Sequence, residues 1–390
     1  MSNQKQKTSS KPHHSSPSKV SKPSVQRNTK PINRKPASTR KAPSKRTRKK
    51  GLVTFGRTLM VIGVTLLILI VFVFLVGFIL IKGPSPDAGI LFARSAHETS
   101  AVKWLPRLYL SEKEYDAILN PVSTNEDSFV LLPQATSITN PDDGSAVALD
   151  SDFEANTPSQ EFNSDIEIID LKGTTYKGKL MLIHDPSRVY FACIDSFGNE
   201  GITLSQFLER YDALACTNAG GFEDEGGTGR GGIPDGIVIK NGQIVYGSAG
   251  GYYKGLAGFD ENHKLIVGNM SGSDALFYGI KNGTNFADGA VLIKDGVRQT
   301  GFVSGINPRT CVGQAADGTV LLVAVEGRFA DSLGATIEDL ADIMETYGAI
   351  NAVNMDGGSS SGMYYEGERI TRSCSVVGDR PLPTAILVSR

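Results

Sequence analysis

Ala349-Ile350-Asn351-Ala352-Val353-Asn354-Met355-Asp356-Gly357-Gly358-Ser359-Ser360-Ser361-Gly362 is an apolar run that delivers a carboxylate and then breaks into glycines and serines. The run reads as a buried strand. Gly357 and Gly358 permit a sharp turn and leave room for a ligand, and Ser359 adds a small hydroxyl. An acid followed by a bare turn at a strand end is a common way to build a site. Just upstream, a helix is predicted from about Ile337 to Tyr347. Thr336 is its N-cap, Glu338 and Asp339 lie in its first turn, and Gly348 falls just past its end. Ile337, Leu340, Ala341, Met344 and Tyr347 form its apolar stripe. Before it, Thr319-Val320-Leu321-Leu322-Val323-Ala324-Val325-Glu326 reads as a strand covered on both faces. Strand, helix and strand make a βαβ unit whose two strands should run parallel. Their carboxyl ends then place Glu326 and Asp356 on one rim, where ligands usually bind.

Outward from this unit, a compact domain is expected over residues 166–390. Ile166–Asp170, Lys179–His184 and Arg188–Cys193 read as strands, and Thr203–Tyr211 reads as a helix with Leu204, Phe207 and Leu208 on one face. Ala213–Thr217 is strand-like and leads to Asn218, which ends it. Asn-Gly, Asp-Gly and Gly-Gly turns separate the short strands that follow. The predicted fold class is α+β: a mixed sheet with a C-terminal βαβ unit, preceded by a disordered basic tail and one transmembrane helix.

The tail and helix come from composition. Residues 1–50 hold 11 Lys, 5 Arg and no acid, with six prolines and few large apolar residues. Such a segment buries too little surface to fold. Residues 58–81 carry no charge and are mostly Leu, Ile, Val and Phe, bracketed by Arg57 and Lys82. At ~1.5 Å rise per residue this run exceeds a ~30 Å hydrocarbon core. It is longer than the apolar region of a cleaved signal peptide. The positive tail should stay in the cytoplasm and send residues 83–390 outside, as a single-pass membrane protein. That outer part holds all 41 acids against 22 basic residues. The tail lacks interleaved aromatics, so it is read as a topology determinant resting on anionic lipid; no nucleic-acid partner is expected. Residues 83–165 read as an extracellular stalk or linker, with a short helix opening at Ser111-Glu112-Lys113-Glu114-Tyr115.

Several motifs are weaker than they look. Gly226-Gly227-Thr228-Gly229-Arg230-Gly231-Gly232 lacks the Gly-Lys-Ser/Thr ending of a nucleotide loop and opens no helix. It reads as a rim loop with Arg230 as an anion contact. Gly358-Ser359-Ser360-Ser361-Gly362 mimics a nucleophile elbow, but no His follows His263. Arg309, just before a short strand, suits a phosphate through its planar fork, with a structural salt bridge as the alternative. Cys193, Cys216, Cys311 and Cys374 form no CxxC pair; disulfides and buried thiols both stay open.

Asn218-Ala219-Gly220-Gly221-Phe222, Arg309-Thr310, Val325-Glu326-Gly327-Arg328, Gly334-Ala335-Thr336, Asn354–Ser360 and Arg380-Pro381-Leu382-Pro383-Thr384-Ala385-Ile386 occur in this order. Over about residues 212–390 the set resembles the phosphodiester glycosidase family, which has lysosomal and bacterial exopolysaccharide-associated members. The resemblance implies a hydrolase that removes a sugar such as N-acetylglucosamine from a sugar-1-phosphodiester. It carries over Asn218, Arg309, Glu326 and Asp356 as catalytic positions, and Gly357, Gly358, Ser359, Arg328, Arg230 and Arg380 as substrate-binding ones. Asp356 is expected at the oxocarbenium-like centre, with Glu326 in support and Arg309 and glycine amides stabilising the anion. No cofactor is expected; calcium held by Glu326, Asp356 and backbone carbonyls is the metal alternative. Two positions depart from the family pattern: Gly221 precedes Phe222, and Glu326 stands where Asp is usual. The expected partner is an envelope glycan or sugar-phosphate polymer. A transferase joining phosphate-linked polymers and a silent glycan-binding module are the competing readings.

Overall fold

The computed structural model describes residues 45–99, 101–121, 161–162, 165–376 and 378–390. Residues 1–44 of the tail expected to be disordered over 1–50, and much of the expected linker, lie outside them, whereas residues 45–50 of that tail are helical. Six helices are described: α1 (Lys45–Lys82), α2 (Pro86–His97), α3 (Glu112–Leu119), α4 (Leu204–Tyr211), α5 (Gly272–Phe277) and α6 (Ile337–Thr346). Within α1, Arg57–Lys82 is long and apolar enough to cross a membrane. Most of its apolar side chains are exposed, and Ile81 near its end is buried.

Three sheets build the remainder. The first has the order β1 (Glu161–Phe162), β2 (Ile166–Lys172), β3 (Lys177–Ile183), β14 (Val320–Val325), β13 (Arg309–Ala315), β15 (Ala349–Met355), β11 (Val291–Lys294), β12 (Val297–Arg298). The second runs β17 (Glu368–Arg369), β16 (Met363–Tyr365), β5 (Ala213–Asn218), β18 (Thr384–Ser389), β4 (Val189–Cys193). The third runs β7 (Gln243–Tyr246), β6 (Val238–Lys240), β10 (Asn282–Thr284), β8 (Tyr252–Phe259), β9 (Leu265–Ser271). The architecture is mixed α+β, as expected.

The C-terminal unit differs from its simplest form. β14 and β15 do run the same way, but each pairs antiparallel with β13, which lies between them. Helix α6 therefore crosses over one strand. With strands ~4.8 Å apart, the ends of β14 and β15 start roughly 10 Å from each other. The first residues of β13 fill the gap: Arg309 pairs with Val325, and Thr310 pairs with Met355.

Alternation then sorts side chains. Cys311, Val323 and Val325 face α6, packing with Leu340, Ala341 and Met344. Val312, Leu322, Val353 and Met355 face the opposite way, against Phe191, Met363 and Ile386 of the second sheet and Phe259 and Leu265 of the third. Buried on both faces, β13 and β14 carry no charge between Arg309 and Val325 except Asp317 in their connecting turn. The outer faces of the second and third sheets are covered by α4 and α5 respectively. Thr336 caps α6 through a reciprocal pair with Asp339: Asp339 N–H donates to Thr336 Oγ1 at 3.1 Å and Thr336 N–H donates to Asp339 Oδ2 at 2.7 Å. Thr336→Ala should lower stability by about 1 kcal/mol in denaturant unfolding, since it removes one half of this box.

The region read as a stalk contains α2, a 3-10 turn at Leu105–Leu108, and α3. The helix expected at Ser111 is α3, closed by the reciprocal Ser111–Glu114 capping box.

Candidate functional site

Asp356 follows β15 directly, and its N–H donates to Ala219 O at 3.0 Å. That bond ties the end of the first sheet to the segment leaving β5 in the second. Asn218, wholly buried at the end of β5, completes the junction. Its Nδ2 donates to Asp356 O at 2.6 Å, while its Oδ1 accepts from Thr310 Oγ1 at 2.8 Å and Gly362 N–H at 3.1 Å. Asn218 thus fixes the backbone that carries the carboxyl through both ends of its amide.

The turn after Asp356 spends its amides on itself. Gly357 N–H donates to Asp356 Oδ1 at 2.8 Å, and Gly358 N–H donates to Pro308 O at 2.9 Å. Gly358 sits at φ +62°, a left-handed conformation that favours glycine. The Gly357 amide thus holds the carboxylate, and the Gly358 amide holds the turn to the strand-leading loop at Pro308. The Ser360 hydroxyl lies close enough to Asp356 to favour its ionised form.

Asp356 is only partly covered from solvent, yet protein atoms ring its carboxyl closely. Burial is the main influence and pushes its pKa up to about 7. Ser360 and the Gly357 amide pull it down, while the charges of Asp235 and Asp224 push it up further. Asp235 is the residue that sequence reasoning missed. Its own carboxyl is raised to about 6, chiefly by burial, against the pull of the Ala287 amide. Two neighbouring carboxyls lifted toward neutrality make this a candidate place for proton transfer. The only sequence signal was Ile233-Pro234-Asp235-Gly236, which reads as an ordinary turn.

Gly221 explains itself here. A Cβ at this position would run into Asp235 Oδ2 and the Phe286 ring. The departure from the family pattern at Gly221 is therefore room for the second carboxyl. Gly221→Ala should displace Asp235 and lower turnover with little change in substrate affinity, read as kcat against KM.

Beside the pair, Arg380 is nearly buried. It donates to Asp224 Oδ1 at 2.8 Å, Ser359 Oγ at 3.1 Å and Gly229 O at 3.0 Å, and stands over the Phe222 ring at 5.2 Å. It joins the serine turn to the glycine-rich loop. Arg230, in that loop, is exposed.

Other expected residues are engaged elsewhere. Glu326 accepts from Arg372 Nε at 2.6 Å and from the Arg372 N–H at 2.8 Å, and Arg372 also pairs with Asp331 at 3.0 Å. Both oxygens of Glu326 hold the 372 segment to the loop after β14. Arg309 donates to Glu98 Oε2 at 2.6 Å, Gly305 O at 2.7 Å and Ala335 O at 3.1 Å. It faces the α6 side of β13, whereas Thr310 faces Asn218. Arg328 has φ +64° and donates to Thr99 Oγ1 at 3.0 Å and Asn307 Oδ1 at 3.2 Å, with its guanidinium beside Gly358. The structure gathers Asp356, Asn218, Gly357, Gly358, Ser359 and Arg380, and draws Glu326 and Arg309 into supporting networks. Among the described residues no three His, Cys, Asp or Glu side chains group as metal ligands. The four thiols are separate; Cys193, Cys216 and Cys311 are buried.

Residues 211–389 match the family model described as phosphodiester glycosidase. The SPbeta prophage-derived uncharacterized protein YomE of Bacillus subtilis is 29% identical over 195 residues, which cover 48% of this chain and 29% of that protein. An N-acetylglucosamine-1-phosphodiester alpha-N-acetylglucosaminidase of Mus musculus is 25% identical over 144 residues, covering 32% of this chain and 28% of that protein. The matched part spans less than a third of the length of either relative. Among solved structures, the auto-inhibited catalytic domain of a zebrafish N-acetylglucosamine-1-phosphodiester alpha-N-acetylglucosaminidase aligns at TM-score 0.47 and 20% identity, covering 61% of this chain and 87% of that one. A hypothetical protein from Synechocystis aligns at TM-score 0.42 and 16% identity, covering 58% of this chain and 62% of that one.

Proposed function

We propose, from residues 211–389 that match the phosphodiester glycosidase family model, that this protein hydrolyses a sugar-1-phosphodiester at the anomeric carbon. The products are the free sugar and a phosphate monoester. The observation that carries this reading is the raised carboxyl pair, Asp356 at about 7 and Asp235 at about 6, at the end of a buried strand. Ionised, Asp356 supports the oxocarbenium-like centre or draws a proton from water. Asp235 replaces Glu326 as its partner. A phosphate monoester leaves readily, so little general-acid help is needed. Arg380, fixed beside Ser359 in the same turn, receives the phosphate, with exposed Arg230 at the loop rim.

The anchored reading goes with it. The apolar helix holds the domain at a membrane, the basic tail stays in the cytoplasm, and the substrate is a phosphodiester-linked sugar of an envelope glycan or sugar-phosphate polymer.

The test is release of free sugar from a panel of sugar-1-phosphodiesters, followed against pH. With the Asp356 carboxylate as the working form, kcat/KM should climb as pH rises through about 7. Asp235→Asn removes a neighbouring negative charge, so whatever turnover remains should have its acid limb moved to lower pH. A limb that stays in place would show that Asp235 does not act on Asp356. Saturable binding of the phosphodiesters with no sugar released would favour a binding module instead.

A further inference from the structure

Beyond α1 the chain folds back on the apolar span. Gly89 of α2 packs so closely on the carbonyls of Leu80 and Ile81 that a Cβ would lie 2.9 Å from Ile81 O. Lys82 Nζ pairs with Glu114 Oε1 of α3 at 2.6 Å. Tyr109 OH donates to Phe74 O at 3.3 Å, and the two rings lie 6.2 Å apart. Phe74 is eight residues before Lys82, so Tyr109 reaches about 12 Å back along the span.

The residues leading to Tyr109 are apolar and uncovered. Trp104 is 58% exposed, Leu108 49% and Val102 37%. The Trp104 indole Nε1 donates to Ala101 O at 3.3 Å, so its one polar group does not need water. Lys103 and Arg107 are exposed among them. Aromatic and apolar side chains beside cations, leading to a residue that touches the span, have the composition of a membrane-interface contact.

We propose that residues 101–110 form a foot seated in the bilayer that α1 crosses. Val102, Trp104 and Leu108 enter the boundary between headgroups and acyl chains, and Lys103 and Arg107 meet lipid phosphates. The occupant of this surface is lipid because Tyr109, at the end of the same segment, touches the span directly at Phe74 and Gly77. This inference rests on α1 spanning the membrane, and is independent of the chemistry at Asp356.

The chain contains a single tryptophan, so its tryptophan emission reports Trp104 alone. The full chain would be reconstituted into vesicles of phosphatidylcholine and phosphatidylglycerol, with or without bromine at shallow acyl positions, and floated to isolate bound protein. The expected result is a blue-shifted emission that loses most of its intensity in the brominated vesicles. Leu108→Glu should restore part of that intensity by lifting the foot. Protein that floats but emits equally in both vesicle types overturns the foot while leaving the span intact. Blue-shifted emission insensitive to bromine but lost on dilution would assign the surface to a second copy and overturn it as well. Failure to float would remove both the span and the foot.

Discussion

Changing Asp356 to Asn is expected to stop sugar release and, in the same protein, to raise stability at neutral pH. The first effect follows from the loss of an ionisable group at the reacting centre, which is worth roughly 10²- to 10⁴-fold in rate. The second follows from proton linkage. An unfolded Asp titrates near its usual ~4, whereas folded Asp356 titrates at about 7. Between those values the folded state holds the proton more tightly than the unfolded state. The group's contribution is therefore fully present below about pH 4 and is lost as pH rises through about 7. Asparagine keeps an acceptor for the Gly357 amide but never ionises, so it escapes a cost on the order of 2–4 kcal/mol above neutrality. The gain in denaturant midpoint over the parent should be large near pH 8 and vanish near pH 4. Undiminished turnover in the variant would sink the proposed role of Asp356. A gain that does not depend on pH would sink the account of its burial.

The other large effect is expected behind the Asp356 turn, on the loop that holds Pro308 against Gly358. Glu98→Ala should destabilise the protein by about 3–5 kcal/mol, because it strands a buried guanidinium without its counter-charge. The Arg309 side chain is 7% exposed and that of Glu98 25%. Glu98 also accepts from Asn307 Nδ2 at 2.7 Å and Gly305 N–H at 2.8 Å, so its removal breaks three bonds to one loop. Pairing Glu98→Ala with Arg309→Met should recover much of the loss, since a neutral side chain of similar length leaves no charge behind. Chemical unfolding of the single and double variants checks this. A single variant within about 0.5 kcal/mol of the parent would show that the pair is not holding the loop.

These two cases mark what could be read from the chain alone. Asp356, Asn218 and the α6 cap were legible because each depends on its immediate neighbours: an apolar run, a glycine turn, a Thr with Asp three residues on. The position of β13 between β14 and β15 was not legible, since strand order depends on pairings that local pattern does not encode. That one strand turned Arg309 toward α6 and gave its place at the site to Thr310. Glu98 lay in a segment whose composition resembles a linker, yet its carboxylate fits a donor set more than two hundred residues away. Asp235 hid in a Pro-Asp-Gly sequence whose turn chemistry is so common that it masks any further role.

The second sheet has a consequence for how the molecule comes into being. Its strand β18 lies between β5 and β4 and pairs with both. Both partners are made some 170 to 200 residues earlier, and until β18 arrives they have nothing between them. Asn218 sits at the open end of β5, and Gly220 N–H donates to Thr384 Oγ1 in β18 at 2.9 Å. Loop closure over such spans is slow, and early strands with free edges are sticky. The carboxyl pair is thus assembled late, after synthesis has passed every other residue of the site. The junction of β5 that carries Asp356 is complete only once β18 is in place.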